Sequence, residues 1–413
     1  MKFYRGNLCQ IIALLAITVA AVSCKKDKKT VATQTVVDAK PTTLGLYEMS
    51  GGTGKILYIA VSQVGTKTFT QDYGLDFDTG SAGMSIDAHG IVDDALITST
   101  GFKFTGDSVV NNGITITSDT GRMEYGDKTD LTIVYGTLAY ANVTFGQGTN
   151  TAVVKRLPFF LYYKAEQSVN GKVTGDFDAH YFDVCGVGPT YSYANDKILS
   201  PLSYFDPGTG LTKGFKLAAL GTTNFSASPT TPVNVLTLGL TSDDLSSGSG
   251  FVQHNLTFNS SEYYSPNIPS TITYGSKTIS ASVVFDSGTT PYNYIEDRTA
   301  VIAHIPPLPT SIKANLSGSK VILGGGNKAL TVNNLATTST VNADGTLSSG
   351  TTVTVTTNKN FVYSFITTDT EYLTMIENPA TTGDTRTILS IEYFLNNEYM
   401  LDYTDHILGL KNN

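Results

Sequence analysis

Leu75-Asp76-Phe77-Asp78-Thr79-Gly80-Ser81 and Val283-Val284-Phe285-Asp286-Ser287-Gly288-Thr289-Thr290 are two versions of one pattern, one in each half of the chain. In each, an apolar stretch ends in Phe-Asp. A hydroxyl residue, a glycine and a second hydroxyl residue follow. The apolar stretch predicts a buried strand with the acid at its end, and the glycine lets backbone amides and a neighbouring strand come close to it. The separation of the two copies is about one β lobe. A third Asp-Thr-Gly, Asp119-Thr120-Gly121-Arg122, follows a serine and precedes an arginine, so it reads as a turn.

The residue types suit a specific chemistry. A carboxyl group at a strand end is held by its own backbone. The hydroxyl after each Asp can bond across to the opposite loop, and the hydroxyl two places further can bond the carboxyl itself. Two such loops facing each other bring two carboxyls together. Like charges that close do not both ionise, so the pair shares one proton. The ionised member can activate a water, and the protonated member can donate to a carbonyl.

The rest of the 413-residue chain agrees with a β architecture. It is 40% hydrophobic and only 15% charged, enough for a large core and long enough for two lobes. Short runs rich in Val, Thr, Ile, Tyr and Phe alternate with Gly, Asn, Asp and Pro. Strands are predicted at Ile56 to Val61, Thr132 to Tyr135, Val143 to Phe145 and Leu157 to Tyr163. A short helix is expected near Ile295 to Ile305, and a surface hairpin or loop insertion over 336–357. The Gly-, Thr-, Ser- and Pro-rich stretch 220–233 is the expected lobe boundary. The net charge of −8 and the lack of a basic face exclude nucleic acid as a partner.

The N-terminus reads as an address. Lys2 and Arg5 precede an apolar run from Ile11 to Val22, which ends in Ala21-Val22-Ser23-Cys24. This end resembles the lipobox of bacterial lipoproteins, in which the cysteine is lipidated and becomes the new N-terminus. An ordinary cleaved signal or a membrane anchor is the alternative. The resemblance implies export, with Cys24 carrying an acyl anchor in an outer membrane, on the periplasmic or cell-surface side. The expected organisation is a signal peptide at 1–24, a tether at 25–50, an N-terminal β lobe at 51–222 and a C-terminal β lobe at 233–413. Lys25 to Lys29 form a solvated part of that tether, or one weakly attracted to anionic headgroups. Cys9 and Cys24 lie in the leader, which leaves Cys185 alone and the mature chain without an internal disulfide.

Taken together, the chain resembles the pepsin family of two-lobed aspartic peptidases, in a divergent bacterial lipoprotein form, from about residue 55 to the end. The resemblance implies an all-β, two-lobed fold with a substrate cleft between the lobes. It implies Asp78 and Asp286 as the catalytic pair, with Thr79 and Ser287 bonding across the lobes and Ser81 and Thr289 bonding the carboxyls. Gly80 and Gly288 would present amides near the shared proton. Tyr125, in Met123-Glu124-Tyr125-Gly126, would be the flap tyrosine; Tyr135-Gly136-Thr137-Leu138 is a rival alignment. Val184-Cys185-Gly186 and Ile388-Leu389-Ser390 match the apolar segments that thread beside each Asp loop. Phe394, Tyr399, Leu401, Asp402 and Ile407-Leu408-Gly409-Leu410 follow the C-terminal strand pattern. The implied activity is hydrolysis of peptide bonds in a polypeptide substrate at acidic pH, by a single chain that needs no metal and no cofactor.

Several features depart from that family, among them a longer flap that carries Asp127, Lys128 and Asp130 where small residues are usual. Gly83-Met84-Ser85 stand where Asn-Leu-Trp is usual, and the chain has no tryptophan. A catalytically silent surface lipoprotein of the same fold, binding a peptide, a glycan or a protein, is therefore the second reading. A β-rich adhesin with accidental motifs is the third. Other chemistries find no support. His89, His180, His254, His304 and His406 are scattered, and Asp178, His180 and Asp183 read as loop residues rather than metal ligands. No nucleophile elbow, phosphate loop or dinucleotide fingerprint occurs. Cys185 has no accompanying histidine motif and reads as a core thiol.

Overall fold

The computed structural model describes residues 39–51, 54–127, 130–190, 198–259, 263–299, 302–305, 315–316, 319–324, 328–333, 346–348, 350–367, 373–377 and 386–413. The leader, the lipidation cysteine Cys24 and the basic tether lie outside these residues. Asp38–Asn413 forms one compact unit.

The expected all-β, two-lobed architecture is observed. One sheet of fifteen described strands contains both ends of the unit. Its centre is a meander of Thr42–Gly51, Gly54–Val64 and Lys67–Asp78, paired antiparallel in sequence order. The short strand Val184–Val187 lies parallel to Lys67–Asp78, and Ala82–Asp87 lies against its other edge. Beyond them, Asn150–Val169, Asp130–Gln147 and Ile114–Asp127 form long antiparallel hairpins. On the opposite side Thr42–Gly51 pairs with Val233–Leu240, which pairs with Thr212–Leu217 and then with the C-terminal hairpin of Asn397–Asp402 and Ile407–Asn412. The second lobe is built on a seven-stranded sheet centred on the hairpin Ile268–Tyr274 and Lys277–Phe285.

Alternation explains the burial. In Lys67–Asp78, Leu75 and Phe77 are fully buried, while Asp76 and Asp78 point the other way and are half-buried. In Lys277–Phe285 the run Val283, Val284 and Phe285 is buried on both faces, as befits an interior strand with neighbours on each side. Phe77 packs edge-on against Phe215, and Phe285 against Tyr393, so a large aromatic lies beneath each Asp loop.

Several local expectations are corrected. Residues 42–50, assigned to the tether, form a core strand in which Leu44 and Leu46 are completely buried. The linker 218–232 joins two strands that pair with each other, Thr212–Leu217 and Val233–Leu240, so both flanks of the expected boundary lie in one sheet. Near Ile295 to Ile305 there is no helix in the described residues; Asn293–Glu296 and Ile302–Ile305 are strands. Within 336–357, Thr352–Thr357 is a sheet strand with Val353 and Val355 buried, because its Thr-Val alternation places valines on the core face. Residues 336–345 lie outside the described set. Asp119-Thr120-Gly121-Arg122 is not a turn: it continues the Ile114–Asp127 strand past a register shift between Ile116 and Thr120.

Candidate active site

Both Asp loops are locked from behind by a parallel neighbour strand. Val184, Cys185 and Gly186 pair with Asp76, Phe77 and Asp78. Val283, Val284 and Phe285 pair with Thr387, Ile388 and Leu389 of the strand Arg386–Leu389, and the Asp286 amide donates to the Leu389 carbonyl at 2.8 Å. These are the two apolar segments expected beside the loops. Gly186 is required, since a Cβ there would come within 2.7 Å of Ser81 Oγ and the Ala82 amide. In the second lobe Ser390 follows the neighbour strand, and its hydroxyl reaches Asn293 Oδ1 at 3.0 Å and the buried Glu392 carboxylate.

The two loops grip each other reciprocally. Thr79 Oγ1 donates to the Phe285 carbonyl at 2.7 Å and accepts from the Ser287 amide at 3.0 Å. Ser287 Oγ donates to the Phe77 carbonyl at 2.7 Å and accepts from the Thr79 amide at 3.1 Å. Both side chains are buried. The expected cross-lobe hydroxyl contacts are thus present, four in number.

This grip presses each glycine onto the opposite acid. A Cβ built on Gly80 would fall within 3.0 Å of Asp286 Cγ and both its oxygens, and one on Gly288 would lie 2.7 Å from Asp78 Cγ. Each glycine amide also serves its own loop: Gly80 N donates to Asp78 Oδ1 at 2.7 Å, and Gly288 N to Asp286 Oδ1 at 2.8 Å. The carboxyls of Asp78 and Asp286 therefore meet across the junction, within hydrogen-bonding reach of each other. Burial raises the Asp78 pKa well above the usual carboxylate range, and the nearby charges of Asp286 and Asp76 push the same way.

The hydroxyls two places further behave differently. Thr289 Oγ1 donates to Asp286 Oδ2 at 2.7 Å, and the Thr289 amide to Oδ1 at 3.2 Å. Ser81 Oγ, expected to do the same for Asp78, is buried and has no partner at hydrogen-bond geometry. It still lies near enough to Asp78 to favour its ionised form slightly, against burial and like charge. The expected symmetry is thus broken at Ser81. Its carbonyl is engaged by the Gly188 amide at 2.7 Å, and that pull fixes the turn of the loop.

Tyr125 lies on the Ile114–Asp127 strand, two residues before the end of a hairpin whose strands close at Asp127 and Asp130. Its hydroxyl is 2.9 Å from Ser85 Oγ, and its ring packs on Phe182 at 4.8 Å. Burial raises its pKa, and the charges of Asp78, Asp183 and Asp76 act in the same direction, so the phenol faces the acidic site. The rival Tyr135 turns elsewhere and donates to Glu166 Oε1 at 2.7 Å.

Asp183 and His180 belong to a brace beside the site. Tyr162 donates to Asp183 Oδ1 at 2.6 Å, the Asp87 amide to the same oxygen at 2.8 Å, and Tyr73 to Oδ2. His180 Nδ1 is 3.1 Å from Asp183 Oδ2, and His89 Nδ1 is 2.6 Å from Asp87 Oδ1. Burial opposes charge on His180, but Asp183 and Asp87 outweigh it and raise the ring's pKa. Among the described residues no cluster of His, Cys, Asp or Glu is arranged to hold a metal ion. Cys185 is buried, and desolvation raises its thiol pKa, with Asp78 and Asp76 adding to the effect; it is an inert core group.

One site residue escaped sequence reading. Asp76 stands two residues before Asp78 on the same strand face. Burial, reinforced by the charge of Asp286, pushes its carboxyl up to about 8. The available signal was its parity with Asp78 in a period-2 strand.

No family model matches the chain, and no curated protein matches it. Among solved structures, the crystal structure of an aspartic proteinase from Irpex lacteus is similar over 91% of this chain and 98% of its own, with 18% sequence identity and a TM-score of 0.48.

Proposed function

We propose that the protein is an aspartic endopeptidase of the pepsin-like type, with Asp78 and Asp286 as its catalytic pair. The observation that carries this is the reciprocal Thr79–Ser287 grip, which seats each loop's glycine on the other loop's carboxyl. A merely structural pair of turn aspartates has no use for such a junction, because it forces two like charges together.

The proton of the pair belongs on Asp78. Asp286 accepts three hydrogen bonds, from Gly288 N, Thr289 N and Thr289 Oγ1, whereas Asp78 accepts one, from Gly80 N. Donors stabilise an ionised carboxylate. The Asp286 carboxylate takes a proton from a water held between the acids as the water's oxygen attacks the peptide carbonyl. Asp78 gives its proton to the carbonyl oxygen, which yields a neutral tetrahedral diol. Collapse of the diol breaks the C–N bond, passes a proton to the leaving amine and returns one proton to the pair. Tyr125 closes over the extended substrate as a flap, and the polypeptide's main chain bonds to strand edges beside it. One chain supplies both acids, so the monomer is the working unit. The protein is exported and held to a membrane through an acyl group on Cys24.

The test is digestion of denatured protein at acid pH, with and without a pepstatin-type inhibitor, by the wild type and by Asp78→Asn and Asp286→Asn. Inhibitor-sensitive cleavage that both substitutions abolish supports the reading. Undiminished cleavage in either variant overturns it.

A second reading, a silent binding lipoprotein of the same fold, is favoured by one observation, the unpartnered Ser81 hydroxyl. It predicts inhibitor binding without cleavage at any pH.

A further inference from the structure

The Asp87–Asp183 brace adjoins both footholds of Tyr125. Ser85, whose hydroxyl meets the Tyr125 phenol, stands two residues before Asp87 on the same strand. Phe182, which packs on the Tyr125 ring, directly precedes Asp183. Ser85 also pairs with Val184, so the two footholds sit on neighbouring backbone. Both acids are buried, and the Asp87 amide donates to Asp183 Oδ1 at 2.8 Å. Among the described residues neither acid forms an ion pair with a lysine or an arginine; their basic partners are His89 and His180. Two buried acids are thus matched by side chains whose charge changes near neutral pH.

His180 ties the segment 177–183 to this brace. Its amide donates to Asp87 Oδ2 at 3.0 Å. Its Nδ1 lies 2.6 Å from the Tyr73 hydroxyl and 3.1 Å from Asp183 Oδ2. The Tyr73 hydroxyl gives its own proton to Asp183, so Nδ1 is the donor in both contacts. Nε2 faces the turn at Gly90, where the His89 carbonyl favours a proton on the ring. A neutral ring has one proton for these two ends, and a charged ring has one for each. The groups that face the ring are therefore Asp183, Asp87, the Tyr73 phenol and the turn carrying His89, whose own Nδ1 lies 2.6 Å from Asp87 Oδ1. The His180 side chain is 32% exposed, so protons from solvent reach it. Its φ of 61° is a left-handed conformation, which the convergence of its amide and ring on the two acids holds in place.

We propose that His180 is a positioning residue for Tyr125: its charged ring clamps the segment 177–183 onto Asp183 and the His89 turn, and the clamped segment holds Phe182 against the Tyr125 ring. Burial opposes the charge, but Asp183 and Asp87 outweigh it and raise the ring's pKa above its ordinary 6.5. The folded protein therefore keeps this proton to a higher pH than the unfolded chain does. The clamp is complete below about pH 6.5 and is lost as pH rises through the raised value. Phe182 is then less firmly seated, and Tyr125 keeps its bond to Ser85 but loses a fixed ring to pack on. The task of Tyr125 over a substrate rests on the peptidase reading; the clamp does not.

The experiment has an exchange arm and a kinetic arm. Hydrogen exchange of the amides in 177–183 is read by mass spectrometry at pH 5 and pH 8 and corrected for its intrinsic pH dependence. The strand Ile268–Tyr274 of the second lobe is the control for global changes. In the wild type, protection at pH 5 exceeds that at pH 8 by about 5- to 10-fold, the difference between a charge-assisted and a neutral hydrogen bond. In His180→Asn, which tolerates a positive φ and carries no charge, protection is equal at the two pH values. The kinetic arm compares wild type with His180→Asn on one peptide at matched pH, so that the titration of Asp78 and Asp286 cancels in the ratio. The wild type is faster by about 5- to 10-fold at pH 4, through kcat, and the ratio falls toward one as pH approaches 8. Exchange in the wild type that is indifferent to pH overturns the inference even where the variant does not fold. PH dependence that persists in His180→Asn, or a kinetic ratio constant with pH, also overturns it and leaves the peptidase reading intact. A pH-dependent clamp in a protein that cleaves nothing supports the clamp and overturns the peptidase reading. Flat exchange without cleavage overturns both.

Discussion

Thr79 and Ser287 each give a hydroxyl proton to a carbonyl of the opposite loop and each accept an amide proton from the other residue, so four hydrogen bonds join the lobes at one point. Removing either hydroxyl leaves a buried carbonyl and a buried amide without partners. Thr79→Val and Ser287→Ala should each cost about 2–6 kcal/mol, at about 1–3 kcal/mol per orphaned group. The second substitution should cost less once the first has parted the loops, because a two-sided junction fails as a unit. Urea denaturation of both singles and the double variant measures this. Costs that add to within about 0.5 kcal/mol would mean that the two residues act independently.

The contact between Gly80 and the Asp286 carboxyl leads to a sharper separation of activity from stability. A methyl group at Gly80 cannot coexist with the carboxyl in its present position. Gly80→Ala should shift the acid by the better part of an ångström and reduce kcat/KM about 100-fold or more. The stability loss should be only about 1–3 kcal/mol, as for other overpacked sites. Gly288→Ala should act likewise on Asp78. Gly175, which has open space around its Cβ position and lies on an exposed strand, is the control. Gly175→Ala should change neither property beyond about 0.5 kcal/mol. Equal losses at all three glycines would falsify the geometry.

Tyr125 holds its position through a hydroxyl bond to Ser85 and ring packing on Phe182. These two links have different consequences. Tyr125→Phe keeps the ring and should cost about 1 kcal/mol of stability, with a modest fall in kcat/KM. Tyr125→Ala removes the ring assigned to the flap in the proposed mechanism and should reduce kcat/KM about 100-fold, mostly through kcat, if that ring holds the substrate in line. Steady-state kinetics on a single peptide distinguishes the two. Identical rates for wild type and Tyr125→Ala would remove Tyr125 from the site.

The Asp loops were legible because three independent signals coincide there: apolar alternation, a terminal Phe-Asp and a Gly between two hydroxyls. The neighbour strands at Val184-Cys185-Gly186 and Ile388-Leu389-Ser390 were legible for a related reason, since interior strands read as short apolar runs. Asp76 lies inside the motif, yet the motif alone does not mark it as a site residue. A polar residue between Leu75 and Phe77 reads as a solvent-facing position, and only the fold brings Asp286 and Tyr125 near enough to interact with it electrostatically. Ser81 shows the converse limit. Its spacing matches Thr289, but Gly188 draws its carbonyl backward and the hydroxyl ends beside Gly186 rather than on Asp78. The strand Thr352–Thr357 was hidden by composition, as threonines outnumber the two valines that give it a core face. The tether was drawn too long because Thr42-Thr43 and Gly45 look like linker residues, although Leu44 and Leu46 anchor the first strand.

Glu48 provides a test of the fold that is independent of catalysis. It lies on the first strand, is 1% exposed, and neither carboxyl oxygen has a partner at hydrogen-bond geometry. Burial raises its carboxyl from 4.5 to about 7, and nearby Asn224 opposes this only weakly. The sign of the effect follows from proton counting. Between about pH 4.5 and 7 the folded protein retains a proton on Glu48 that the unfolded chain has lost, so this residue makes stability fall as pH rises through that window. Below it both states are protonated and the penalty vanishes; above about 7 both are ionised and the penalty is constant, at roughly 3 kcal/mol. Glu48→Gln removes the ionisation. The variant should therefore match the wild type near pH 4 to within about 1 kcal/mol and exceed it by roughly 3 kcal/mol near pH 8. The difference between the two unfolding free energies at each pH isolates Glu48 from the other carboxyls that titrate in the same range. A difference that stays flat from pH 4 to 8 would show that Glu48 is solvated or paired in the folded protein, and that the first strand does not seal it under the 218–232 segment.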